Sequence, residues 1–113
     1  MQRHLRLRTR SEFQAVQRAG ITRAHPLVVL RAAPSNDGQS TRFGFVVGRH
    51  VAKQAVVRNR VRRRMREVVR LVPVQPGWDI VLIAHREAAT ADFQAIRQAV
   101  VDVLRRARLL AET

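Results

Sequence analysis

The chain has 113 residues, 46% of them apolar, no cysteine, and 22 Lys and Arg against 8 Asp and Glu, a net charge of +14. That length and apolar content fit one domain over 1–113 and exclude a disordered basic tail; the missing cysteine excludes a disulfide framework and thiolate metal sites, and no apolar run approaches the roughly 18–20 residues of a membrane span. The charge excess costs stability through self-repulsion, so it points to a polyanionic partner, nucleic acid first and an anionic membrane second.

All the cations except Lys53 are Arg, which suits bidentate phosphate contacts and stacking on bases. A genome rich in G and C would also favour Arg over Lys, but it does not account for the net charge. The first ten residues, MQRHLRLRTR, are cationic and lack the apolar segment of a secretory signal. Arg6, Arg8 and Arg10 read as a flexible phosphate-binding arm, with a transit peptide as the other reading, and the chain is expected in the cytoplasm.

Residues 11–19, SEFQAVQRA, read as a short helix in which Ser11 and Gln14 carry a capping-box spacing and Gly20 closes the end. A further short strand is conceivable around 21–24. PLVVLRAA (26–33) reads as a strand opened by Pro26, PSNDGQST (34–41) as a turn, and RFGFVVG (42–48) as the returning strand of an antiparallel hairpin. Alternation along that strand puts Phe43, Phe45 and Val47 on a core face. Gly44, Val46 and Gly48 fall on a flat face open to close approach.

A helix from about 54 to 72 follows, with Val57, Val61, Met65, Val68 and Val72 as its apolar stripe and Pro73 at its end. WDIVLIA (78–84) is nearly all apolar and reads as a strand buried on both faces. Thr90 is the expected cap of a last helix through about 109, with Phe93, Ile96, Val100, Val103 and Ala107 inward and Arg105, Arg106 and Arg108 near its negative end. The order α-β-β-(β)-α-β-α implies an α+β two-layer sandwich.

Self-contained catalysis has little support. The four His, at 4, 25, 50 and 85, show no ligand spacing, the acids are scattered without a close pair to hold Mg2+, and there is no phosphate-loop motif. No metal site is expected on the protein. His25 and His85 read as structural.

The basic helix is different. Arg58, Arg62, Arg66 and Arg70 recur every fourth residue and form one stripe, which Arg60, Arg63 and Arg64 widen. A solvated charged face is the common reading of such helices, but those mix signs, and Glu67 is the one acid here. Like charges at i, i+4 cost a few tenths of a kcal/mol per pair, roughly, so an uncompensated series favours a phosphate-binding face. Asn59 within the run either caps the early turns or hydrogen-bonds a phosphate, ribose or base edge; its flanking arginines favour the second.

AVVRNRVRRRMRE (55–67) resembles the protein subunit of bacterial ribonuclease P, through Ala55, Arg58, Asn59, Val61, Arg62, Arg63, Met65 and Arg66. The resemblance runs through nearly the whole chain: RLRTRSEFQAVQRAG is similar to that family's first helix, RFGFVVGRHVAK to its central strand and exit, and WDIVLIA to its last strand. It implies a mixed sheet with a left-handed β-α-β crossover, a fold that recurs among ribosomal proteins. It also implies binding to a catalytic RNA that removes the 5′ leader of precursor tRNA with Mg2+ held mainly by the RNA. No membrane and no obligatory protein partner are implied.

Carried over residue by residue, the RNA-binding set is Arg58, Asn59, Arg60, Arg62, Arg63 and Arg66, with Arg49 and Lys53 before the helix. The leader cleft is Phe13, Gln17, Val29, Arg31 and Val46; for Phe13 a core role is the alternative. The family's second cleft aromatic is Gln17 here, and an aromatic common on its first strand is Arg31, so this cleft leans on hydrogen bonds and cation–π contacts more than on stacking. Where the family often has two lysines after the strand, Arg49 and His50 stand here.

The rival reading is a ribosomal or ribosome-assembly RNA-binding protein without a catalytic role. A helix-turn-helix DNA regulator would need a helix just before 54, where RFGFVVG stands. A membrane binder would need bulky side chains opposite the arginines, where the valines are.

Overall fold

The structure, a computed structural model, describes residues 7, 9–35, 38 and 40–111. The elements in chain order are α1 (Arg10–Ala19), β1 (Ile21–Ala24), β2 (Val28–Pro34), β3 (Arg42–Val46), α2 (Ala55–Leu71), β4 (Trp78–Ala84), a 3-10 turn (Arg86–Ala89) and α3 (Phe93–Arg106). They form a mixed α+β arrangement around a four-stranded sheet of order β1-β2-β4-β3. Among the described residues no helix is long and apolar enough to cross a membrane.

The sheet corrects one expectation. β2 and β3 are not a hairpin: β4 lies between them, antiparallel to β2 and parallel to β3. The reason lies in β4 itself. Ile80, Leu82 and Ala84 bury on one face and Val81 on the other, and only a central strand covers both faces while hydrogen-bonding along both edges. The hairpin joins β1 to β2 instead, and Pro26 sits in its turn, where His25 and Val28 exchange backbone hydrogen bonds of 2.9 and 3.2 Å. Ser35 and Thr41 strap the start of β4: Ser35 N–H donates to Gly77 O at 2.8 Å, and Trp78 N–H donates to the Thr41 hydroxyl at 3.2 Å.

α2 and α3 make the second layer on the face of Leu30, Ala32, Phe43, Ile80 and Leu82. Val61, Met65, Val68 and Val69 of α2 and Ile96, Val100, Val103 and Leu104 of α3 complete that core. The expected stripe of α2 holds at Val61, Met65 and Val68; Val69 joins it. Val72 has left the helix with an extended backbone, the conformation that Pro73 demands of its predecessor. α1 lies on the opposite sheet face, where Val16 packs on Val81.

The caps differ from expectation at both outer helices. Thr9 rather than Ser11 opens α1, in a capping box with Glu12, whose carboxylate also suits the helix dipole better than Gln14 would. Asp92 rather than Thr90 caps α3, accepting from Ala95 N–H at 2.8 Å, because the 3-10 turn carries the chain past Thr90 before the helix begins. Gly20 does close α1, though with an extended backbone. Its need for glycine is contact, since a Cβ there would lie 2.4 Å from Ala32 O.

The expected basic arm over 1–10 is only partly visible. Residues 1–6 and 8, including Arg6 and Arg8, lie outside the described residues, but Leu7 is buried and donates its N–H to Phe43 O at 2.8 Å, and Arg10 begins α1. Leu7 thus has an apolar seat on the sheet.

α3 ends in a Schellman motif: Leu109 N–H bonds Leu104 O at 2.9 Å and Arg108 N–H bonds Arg105 O at 2.9 Å. Arg108 occupies the left-handed position, φ 60°, which costs an L-residue about 1–2 kcal/mol relative to glycine. Arg108→Gly is expected to raise unfolding free energy by about 1 kcal/mol in urea denaturation; a loss of stability would contradict this account of the helix end.

Candidate nucleic-acid interface

A helix turns about 100° per residue, and with the valine stripe of α2 inward its arginines divide between two flanks. Arg58, Arg62 and Arg66 run up the flank beside β3, while Asn59, Arg63 and Arg70 cover the outer surface. Arg60 and Arg64 fall on the far flank. There Arg60 Nη2 donates to Ala89 O at 3.3 Å and Arg64 Nη1 to Ala91 O at 2.7 Å, fastening α2 to the 3-10 turn and the start of α3. The structure therefore separates Arg60 and Arg64 from the other predicted cations.

The near flank is braced from below. Arg58 Nη1 donates to Ala52 O at 2.9 Å and Lys53 O at 2.7 Å, fixing the loop that precedes the helix. Arg62 Nη1 donates to Asn59 Oδ1 at 2.7 Å, which turns the Asn59 amide so that its NH2 is left to donate elsewhere. The Arg66 guanidinium lies 5.7 Å from the centroid of Phe45 on β3, a cation–π contact that stiffens the charge without neutralising it. Arg63, Arg49 and Lys53 are exposed. No acid occupies the first turn of α2, so the positive end of its dipole adds to the same surface. At the other end Arg70 Nη2 meets Glu67 Oε1 at 2.5 Å; the hydrogen bond from Arg70 holds the Glu67 carboxyl below its usual range.

A second surface lies on the sheet face that carries α1. The registers bring Val29 opposite Ile83, Ile83 opposite Val46, Arg31 opposite Val81 and Val81 opposite Gly44. Phe13 of α1 seats its ring on Gly44, where an added Cβ would come 2.4 Å from Phe13 Cε1 and 3.3 Å from Leu7 Cδ1. The flat glycine face of β3 is thus occupied there by the protein's own aromatic ring. Beyond Phe13, Val29, Arg31, Val46 and Ile83 remain half-buried, and Gln17 is exposed one turn further along α1. Arg31 Nε is buried and has no hydrogen-bond partner among the described residues. The cleft set is therefore brought together, with Phe13 both a packed residue and a wall.

The position of α1 depends on a cluster that sequence reasoning missed. Arg42 of β3 grips Asp79 of β4 with two hydrogen bonds, Nε to Oδ1 at 3.0 Å and Nη2 to Oδ2 at 2.9 Å, and its Nη1 donates to Glu12 of α1. The hydrogen bond to Asp79 raises the Arg42 pKa well above its ordinary value against the opposing effect of burial, so the guanidinium stays charged. The signal was present: Asp79 is the one acid in an otherwise apolar strand, and such a carboxylate needs a partner.

Family comparison places these surfaces in a known context. The family model for ribonuclease P matches residues 1–108. A ribonuclease P protein component of Herpetosiphon aurantiacus is 41% identical over 111 residues, covering 96% of this chain and 89% of that relative. One from Roseiflexus castenholzii is 44% identical over 110 residues, covering 95% and 88%. Among solved structures, the ribonuclease P protein of Thermotoga maritima superposes with a TM-score of 0.77 at 28% identity, over 89% of this chain and 96% of that one. That of Staphylococcus aureus reaches 0.85 at 22% identity, over 95% and 98%, a likeness of fold.

The Arg42 clamp makes its own prediction. Arg42→Met, which leaves Asp79 buried without its cation, is expected to cost about 3 kcal/mol in urea unfolding; a cost under about 1 kcal/mol would mean that the clamp does not hold α1 to the sheet.

Proposed function

The chain belongs to the ribonuclease P protein family, and from that premise we propose how its two surfaces divide the work of such a subunit. The near flank of α2, with Arg58, Asn59, Arg62, Arg63 and Arg66 and with Arg49 and Lys53 beside its first turn, docks on the ribonuclease P RNA in the cytoplasm. The cleft of Phe13, Gln17, Val29, Arg31 and Val46 holds the single-stranded 5′ leader of precursor tRNA. The observation that carries this reading is the cationic flank of α2, on which Arg58 is braced by loop carbonyls and Arg62 by the Asn59 amide rather than by acids.

In this account the protein supplies binding, and the hydrolysis belongs to the RNA. Mg2+ in such a complex would be held mainly by the RNA, where it would activate water and stabilise the leaving oxygen. Arg58, fixed to the loop carbonyls, and Arg62, fixed to Asn59, present pre-positioned donors to phosphate, which limits the side-chain entropy lost on docking. In the cleft, Arg31 offers its fork to a leader phosphate or base edge, and the half-buried Val29, Val46 and Ile83 give bases an apolar floor. Arg60, which holds Ala89 O, contributes to the field more than to direct contact.

The test is the salt dependence of binding to ribonuclease P RNA. Each lost phosphate contact removes about 0.7–0.9 from the slope of log K against log salt, so replacing Arg62 and Arg66 together with Ala should flatten it by about 1.4–1.8. An unchanged slope would remove the α2 flank from the RNA interface. An unchanged slope together with unaltered leader cleavage would favour a ribosomal or assembly role.

A further inference from the structure

On the edge of the molecule away from the α2 flank, α3 and the β1–β2 turn enclose an open groove of about 440 Å³, lined by His25, Arg97, Gln98, Val101, Asp102 and Arg105. Neither the RNA-docking flank nor the leader cleft uses any of these residues. Arg97, Val101 and Arg105 recur every fourth residue, so they share one face of α3, and the two arginines stand about 12 Å apart along its axis.

Three features make the groove a built surface. Its acid is already engaged: Asp102 accepts from Arg106 Nε at 3.0 Å, while Arg106 Nη2 donates to Ala24 O and ties α3 to β1. The side chains of Arg97 and Arg105 have no hydrogen bond or ion pair among the described residues. His25 is oriented, because Leu27 N–H donates to its Nδ1 at 3.0 Å, so the neutral ring carries its proton on Nε2, a fixed donor. Cationic forks, a side-chain amide, an aromatic ring and the apolar Val101 are the combination that suits a single RNA strand better than a duplex, since a strand offers both phosphates and base faces.

The groove lies across edge strand β1 from the cleft, on the α3 side of the sheet. Arg31 pairs with Thr22 and Val29 with Ala24 across the β1–β2 ladder; Thr22 and Ala24 are exposed. The open sheet face therefore runs past Arg31 to edge strand β1, and His25 follows Ala24 at the turn. We propose that the leader strand held in the cleft passes over β1 and that its upstream nucleotides lie in the α3 groove, their phosphates on Arg97 and Arg105 and on His25 Nε2. This rests on the leader-binding reading of the cleft.

The experiment uses the full chain assembled with ribonuclease P RNA and precursor tRNAs whose leaders have about 4 or about 16 nucleotides, the span of common single-strand site sizes. Arg97→Gln with Arg105→Gln, exposed positions without structural bonds, should weaken binding of the long-leader substrate about 20-fold at about 0.1 M salt and flatten its salt slope by about 1.4. Binding of the short-leader substrate should not change. An equal loss for both leaders, or no loss for either, overturns the proposed path. Arg31→Ala is the companion: it should weaken both leaders, and if it weakens neither, the cleft reading itself fails, whatever the groove variant does.

Discussion

Arg42 sits where three elements meet, and its half-buried guanidinium joins them with charge. Two of its hydrogen bonds close the parallel pairing of β3 and β4 through Asp79, and the third draws Glu12, and with it α1, down on the sheet. Glu12 meanwhile caps its own helix by accepting from Thr9 N–H at 2.9 Å. Without α1 in this place Phe13 has no seat on Gly44, Leu7 loses a wall, and the cleft has no boundary.

The same economy governs the rest of the charge. With so few acids in a strongly cationic chain, five of the six described are spent on framework: Glu12 and Asp79 on Arg42, Glu67 on Arg70, Asp92 on the cap of α3, and Asp102 on Arg106. Carbonyls brace Arg58 and an amide braces Arg62 on the near α2 flank, so the charge of these two is held in place without being cancelled. β3 connects the two proposed RNA surfaces directly. By strand alternation it offers Phe45 under Arg66 on one face and Gly44 and Val46 to the cleft on the other. A shift of β3 would therefore disturb both.

Much of this was legible in the sequence, and the exceptions have a common cause. Period and composition located the three α-helices and the strands β2, β3 and β4, left β1 only conceivable and missed the 3-10 turn, because burial on one face leaves a local signature in Val61, Met65 and Val68 or in the unbroken apolar run of β4. Partner choice is not local. The turn residues of 34–41 announce a reversal, yet only the demand of β4 for cover on both faces separates β2 from β3. The caps moved by two residues because Thr9–Glu12 offers the same spacing as Ser11–Gln14 with a better acid. Arginine periodicity likewise could not tell which flank faces outward; the carbonyls of Ala89 and Ala91 decide that for Arg60 and Arg64. The motif at 55–67 carried the family, and the matching of relatives over nearly the full chain agrees with it.

We propose that this protein promotes leader removal by a catalytic RNA through two separate surfaces. The most direct test is reconstitution: the purified chain added to ribonuclease P RNA at low Mg2+, with precursor tRNA labelled in its 5′ leader. The account predicts that adding the protein switches on cleavage at the mature 5′ end. Cleavage that is unchanged while the protein binds the RNA tightly would contradict it.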